Sequence, residues 1–180
     1  MSRYVALFRG INVGKAKRIA MADLRELLEG LGYTNVKTLL NSGNAVFSGR
    51  AGTPAKMAAR IRAAVADELG VDAQVIVKSD QDIAAIFSGN KLGKIASDPS
   101  RLLVVMAGDG KALSTLAALA RQDWNEERVH VGTHAAYVWC ANGILESPAL
   151  EALLRAIGAG GTTRNWATLG KIHALMTGGS

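Results

Sequence analysis

The sequence predicts an α+β protein built from two similar halves, and three observations lead there. Short apolar runs alternate with segments of helical periodicity. Glycine, asparagine and proline mark the junctions between them. The order β-α-β-β-α then recurs after residue 100. A chain of 180 residues with 49% hydrophobic content and 3 prolines can bury a sizeable core, in one domain or two small ones, and its composition argues against disorder.

Residues 3–8 (RYVALF) read as a short buried strand, broken by the glycines and asparagine of residues 9–14, RGINVG. Over residues 22–31, Leu24, Leu27, Leu28 and Leu31 recur at helical spacing; Asp23 suits the first turn and Gly32 supplies a left-handed stop. Residues 36–40 and 45–47 are strand-like, and Asn41, Ser42, Gly43 and Asn44 between them suit a tight hairpin. Pro54 opens a helix with Met57, Ile61, Val65 and Leu69 on its apolar face, Gly70 ends it, and residues 74–77 form a further strand. The resulting β-α-β-β-α-β order is that of a ferredoxin-like unit, in which right-handed crossovers set strand three antiparallel beside strand one. The RGINVG loop and the hairpin at residues 41–44 are therefore expected at the same end of one sheet. The topology implies no iron–sulfur cluster, because the chain has 1 cysteine.

Residues 80–87 read as a connecting helix and 88–99 as an exposed linker. In the second half, residues 102–107 form a strand, 113–120 a helix, 129–131 and 136–140 a hairpin across Gly132, Thr133 and His134, and 150–157 a helix. No fourth strand is apparent; the half closes instead in a helix starting near Thr163. The expected organisation is two tandem ferredoxin-like halves, 1–79 and 101–176, joined by a helix and linker over 80–100 and followed by a loose tail over 177–180.

The formal charge of +6 invites a nucleic-acid reading, yet the excess is spread over both halves, and only the stretch from Arg3 to Arg18 is one-signed. A solvated basic surface explains the charge equally well. Cys140 alone makes neither a disulfide nor a metal site, which favours a reducing cytoplasm. The apolar run of residues 4–8 is too short for a signal-peptide core, and no stretch is long enough to span a bilayer, so a soluble chain without a membrane partner is expected.

Three segments carry candidate chemistry. Arg9, Asn12 and the amides around Gly10 and Gly14 could cradle an anion, although GINVGKA lacks the spacing and hydroxyl of a Walker A loop. Glycines that merely permit a strand-to-helix turn are the competing reading. Asn41, Ser42 and Asn44 could hydrogen-bond a ligand or simply build their turn. Thr162 or Thr163 can cap the last helix, placing Arg164, Asn165 and Trp166 on its first turn, where a guanidinium fork and an indole face suit a phosphate-bearing base. The alternative has Trp166 covering the core and Arg164 pairing with a carboxylate.

No catalytic constellation is visible, and neither a cofactor nor a metal is expected. His130 and His134 fall on a strand and its turn, His173 has no partner motif, and Cys140 beside Trp139 reads as a small buried hydrophobe. A nucleic-acid-binding protein using the sheet or the Arg3 to Arg18 cluster, or an enzyme with an unrecognised site, are the alternatives to a ligand-binding protein.

The stretches VALFRGINVG, LLNSGNAVF and TTRNWATLGKIHAL together resemble the bacterial family known as domain of unknown function 1697, nearly end to end. Its RGINVG loop, SGN hairpin and RNW segment map to residues 9–14, 42–44 and 164–166. The resemblance implies the tandem fold and no established activity. The chain departs from the family pattern where it carries Lys15 and Ala20 after the loop, and at residues 144–148.

Overall fold

The computed structural model describes residues 1–178. It contains two four-stranded antiparallel sheets with helices, an α+β architecture. The chain divides into two compact units, Met1–Ile83 together with the segment from Ile172, and Ala84–Lys171.

In the first unit β1 (Ser2–Phe8), β2 (Thr34–Leu39), β3 (Asn44–Gly49) and β4 (Val75–Ser79) stand in the order β2-β3-β1-β4. β1 is central, antiparallel to β3 with Tyr4 opposite Phe47, and to β4 with Tyr4 opposite Ser79. Helix α1 (Met21–Gly30) and helix α2 (Pro54–Leu69) supply Leu24, Leu27, Leu28, Ile61 and Val65 to one core with Tyr4, Ala6, Phe8 and Phe47. Sequence dictates the helix ends: Gly32 beyond α1 has φ +95° and Gly70 caps α2 at φ +68°, a conformation that costs glycine little. Asn35 at φ +52° accompanies the register shift between β2 and β3.

In the second unit β5 (Leu102–Ala107), β6 (Arg128–Val131), β7 (Ala136–Trp139) and β8 (Gly161–Asn165) stand in the order β6-β7-β5-β8. Leu103, Val105, Val138, Cys140, Leu150 and Leu153 share its core. Helix α3 (Asp80–Ser88) opens on a reciprocal box, the Ser79 amide donating to Asp82 Oδ2 at 2.9 Å and the Asp82 amide to Ser79 Oγ at 3.1 Å.

Two sequence expectations for this half need correction. The helix expected over 113–120 is a single short helix, α4 (Gly110–Ser114), followed by turns and a 3₁₀ turn at Leu119–Arg121. Asp109 caps it early by accepting from the Lys111 amide, while the Ser114 and Thr115 hydroxyls bond the carbonyls of Lys111 and Ala112 at 2.6 Å and compete with its continuation. The half also has a fourth strand. Thr162, Thr163, Arg164 and Asn165 lie on β8, paired with β5, and helix α6 (Trp166–Thr177) begins only at Trp166. Neither threonine is the helix cap; Asn165 is, its Oδ1 accepting from the Thr168 amide at 2.8 Å.

Helix α5 (Pro148–Ile157) is capped by Ser147, whose Oγ accepts from the Leu150 amide at 3.1 Å and whose hydroxyl donates to the buried carboxylate of Glu127. Glu127 Oε1 also accepts from the Ala149 amide, so a buried carboxylate sits on the positive end of that helix. Of the tail expected over 177–180, Thr177 ends α6 and the Gly178 amide bonds Ala174 O at 2.8 Å; residues 179–180 lie outside the described residues.

Candidate functional site

The chain leaves β1 through a loop that only certain residues can build. Gly10, Asn12, Gly14 and Lys17 have φ of +69°, +56°, +66° and +50°, a region that glycine enters freely and asparagine tolerates best among the others. Asn12 ties the loop together. Its Nδ2 donates to Ile19 O and to Asn41 O, both at 2.8 Å, and its Oδ1 accepts from the Ile19 amide at 2.8 Å. The Asn12 amide also donates to Lys17 O at 3.0 Å. Ile11 and Ile19 are buried at either end, so the segment is pinned at two apolar anchors and braced between them.

The hairpin between β2 and β3 meets this loop, as the topology argument expects. The Phe8 amide donates to Gly43 O at 2.9 Å, and Asn12 reaches Asn41 O. Gly43 has φ +94°, and a Cβ there would stand 2.6 Å from Ile11 Cδ1 and 2.8 Å from Phe8 Cβ, so the contact requires glycine. Asn44 is buried and donates to Leu39 O at 2.8 Å and to Ser42 Oγ at 3.2 Å.

These bonds separate the sequence-selected residues into braces and presenting groups. The Asn12 and Asn44 amides hold the turn; Gly10 and Gly14 shape it. Exposed around them are the Asn41 and Ser42 side chains and residues 13–18, with Arg9 half-buried at the base. Arg18, which sequence reasoning left out of the site, folds over the loop and donates to Asn12 O at 3.2 Å and Gly14 O at 3.3 Å. Its only sequence signal is membership of the one-signed basic stretch. Two of the loop's carbonyls are thereby satisfied, and residues 13–18 around them are exposed, with a turn at Gly14 and Lys15.

Arg164, Asn165 and Trp166 belong to the second unit. Arg164 is buried, and that desolvation lowers its pKa to about 10. Its Nη1 donates to Thr162 Oγ1 at 2.9 Å and Thr163 O at 2.7 Å. Asn165 is engaged as the cap of α6, and the half-buried Trp166 ring packs on Phe87 with centroids 4.4 Å apart.

A family model described as "Protein of unknown function (DUF1697)" matches residues 1–137. The chain belongs to this family. The matched residues contain the whole β1–α1 loop and the hairpin, and exclude Arg164, Asn165 and Trp166. Among solved structures, the DUF1697 protein is similar to "conserved bacterial protein SP0830 from Streptococcus pneumoniae", with 23% identity, a TM-score of 0.80, and coverage of 98% of this chain and 99% of that one. That likeness is one of fold. No curated protein matches.

On the sheets of the DUF1697 protein the rings of Tyr4, Phe8, Phe47, Tyr137 and Trp139 are all buried. Tyr137 bonds Ile86 O through its hydroxyl, and burial pushes its pKa up to about 12. Cys140 is a buried thiol in the core; burial raises its pKa, with the Ser147 hydrogen bond opposing and Glu127 adding to the rise. His130 stacks on Tyr137, and burial followed by the Lys91 charge lowers its pKa. No group of three His, Cys, Asp or Glu residues able to hold a metal occurs among the described residues, nor does any helix long and apolar enough to cross a membrane.

Proposed function

We propose that this DUF1697 protein binds a small anionic, nucleotide-like ligand on the loop between β1 and α1, with the neighbouring hairpin as the second wall. The observation that carries the reading is the triple hydrogen bond of the Asn12 side chain. An exposed segment fixed in left-handed turns, with two of its carbonyls bonded by Arg18, is preorganised to turn its remaining N–H groups to an anion and loses little entropy on binding. Arg9, Lys15, Lys17 and Arg18 add positive charge, and no acidic residue precedes Asp23. Asp72, whose pKa is lowered first by its bond to Arg62 and only last by Lys17, is committed to that arginine. The reading rests on the first unit alone. Within it, Arg9, Asn41 and Ser42 contact the ligand, and Asn12 and Asn44 hold them in place.

We read each half as a ferredoxin-like unit, a reading supported by the strand orders β2-β3-β1-β4 and β6-β7-β5-β8. Thermal shifts against a panel of nucleotides and phosphorylated metabolites test the ligand. A binder at 100 times its Kd raises stability by roughly 2.7 kcal/mol, and Arg18→Ala with Arg9→Ala should abolish that gain. A panel without a single shift, or a shift unchanged in the double variant, contradicts the proposal.

A further inference from the structure

A cleft of about 460 Å³ opens at the other end of the first sheet, where Gly49 pairs with Ser2, away from the Asn12 loop. Its size falls in the range of small-molecule sites, roughly 300–1,000 Å³. The lining holds three cations, Arg50, Lys56 and Arg60, and no carboxylate. Its floor is apolar, with Tyr33 held against Phe47 at 4.4 Å between ring centroids.

The helix α2 starts in this cleft in an unusual way. Thr53 at its N-cap makes no side-chain capping bond, and its first turn contains no acid. Lys56 stands there instead, where the helix dipole disfavours a cation. Neither Arg50 nor Lys56 has a partner among the described residues. Arg60 is fixed, donating to Leu31 O at 2.9 Å with its guanidinium 5.7 Å from the Tyr33 centroid. Two glycines make the room: a Cβ at Gly49 would come within 3.0 Å of Tyr33 Cδ1, and one at Gly52 within 3.2 Å of Met57 Cε. The Gly52 amide is anchored to the Tyr4 hydroxyl at 3.1 Å.

We infer that this cleft is a second binding site, for a small aromatic phosphate or carboxylate. The anionic head sits at the start of α2 between Arg50 and Lys56, supplying the negative charge that the helix end lacks. The ring lies against Met57 and the edge of Tyr33, beside the Arg60 guanidinium. This site is independent of the Asn12 loop, and its test reads different amides.

The experiment is an amide-resolved NMR titration of the full chain with phenyl phosphate, benzoate, inorganic phosphate and phenol. Saturable shifts at Gly52, Lys56 and Met57 with phenyl phosphate or benzoate, and much weaker ones with phenol, are the expected result; the relative affinity of the first two decides between phosphate and carboxylate. Arg50→Gln combined with Lys56→Gln changes exposed side chains without partners, so the fold persists, and affinity should fall by about tenfold per cation removed. Absence of saturable shifts at these amides, phenol binding as tightly as the anions, or an unchanged affinity in the double variant overturns the inference.

Discussion

Replacing Asn12 by alanine removes three side-chain hydrogen bonds at once: to Ile19 O, from the Ile19 amide and to Asn41 O. The two bonds to Ile19 are partly buried and are worth about 1 kcal/mol each, and the solvent-exposed bond to Asn41 O about half that. Alanine at φ +56° adds about 1 kcal/mol of backbone cost that asparagine largely avoids. The sum is about 3.5 kcal/mol. Local fraying cannot evade it cheaply, because detaching the loop exposes Ile11 and Ile19, at about 1.5–3 kcal/mol each. Urea denaturation of the wild type and the variant measures the loss as a lower midpoint at unchanged slope. Hydrogen exchange at the Ile19 amide locates it. A loss below about 1 kcal/mol, the worth of a single net hydrogen bond, would refute the claim that Asn12 is the brace of this loop.

Three further outcomes are expected. Gly43→Ala places a methyl group against Ile11 and Phe8 in a left-handed conformation and should cost about 2–4 kcal/mol by denaturant midpoint, combining backbone and overpacking terms. Ser147→Ala deletes the cap of α5 and the hydroxyl that donates to Glu127; calorimetry should show a loss of about 2 kcal/mol, larger than an exposed cap would give. Tyr137 has a folded pKa of about 12 against an ordinary 10.0, so its contribution is intact below pH 10.0 and is lost as pH rises towards 12. Alkaline unfolding curves should therefore steepen across that window in the wild type and flatten in Tyr137→Phe.

The first half of the fold was legible because its punctuation is strong. Gly32 and Gly70 end their helices where the leucine and isoleucine periodicity stops, Pro54 opens α2 at its first residue, and β1, β3 and β4 each carry an apolar run. β8 was hidden because GTTRN carries no apolar alternation; its two β-branched threonines are the one local signal of a strand. The same shift moved Arg164 and Asn165 off the first turn of α6, since the cap is the asparagine and not a threonine. Helix α4 was overextended because Leu113, Leu116 and Ala120 keep helical spacing while the Ser114 and Thr115 hydroxyls, whose competition depends on side-chain geometry, break the ladder.

At the site, the convergence of loop and hairpin followed from topology, and the need for glycine at Gly10 and Gly14 from their turns. The division of labour did not. Whether an asparagine braces or presents depends on which carbonyls lie within reach, and Asn12 spends its amide on residues seven and twenty-nine positions away. Arg18 likewise becomes part of the loop only once the chain has folded back on Gly14.

The central claim is that the β1–α1 loop is a preorganised anion cradle. Its most direct measurement is an amide-resolved NMR titration of the full chain with inorganic phosphate, repeated in Asn12→Ala. The account expects saturable shifts at the amides of Val13, Gly14, Lys15 and Ala16 in the wild type, weakened in the variant. Shifts absent from those four amides, or equally strong after the Asn12 side chain is removed, would contradict it.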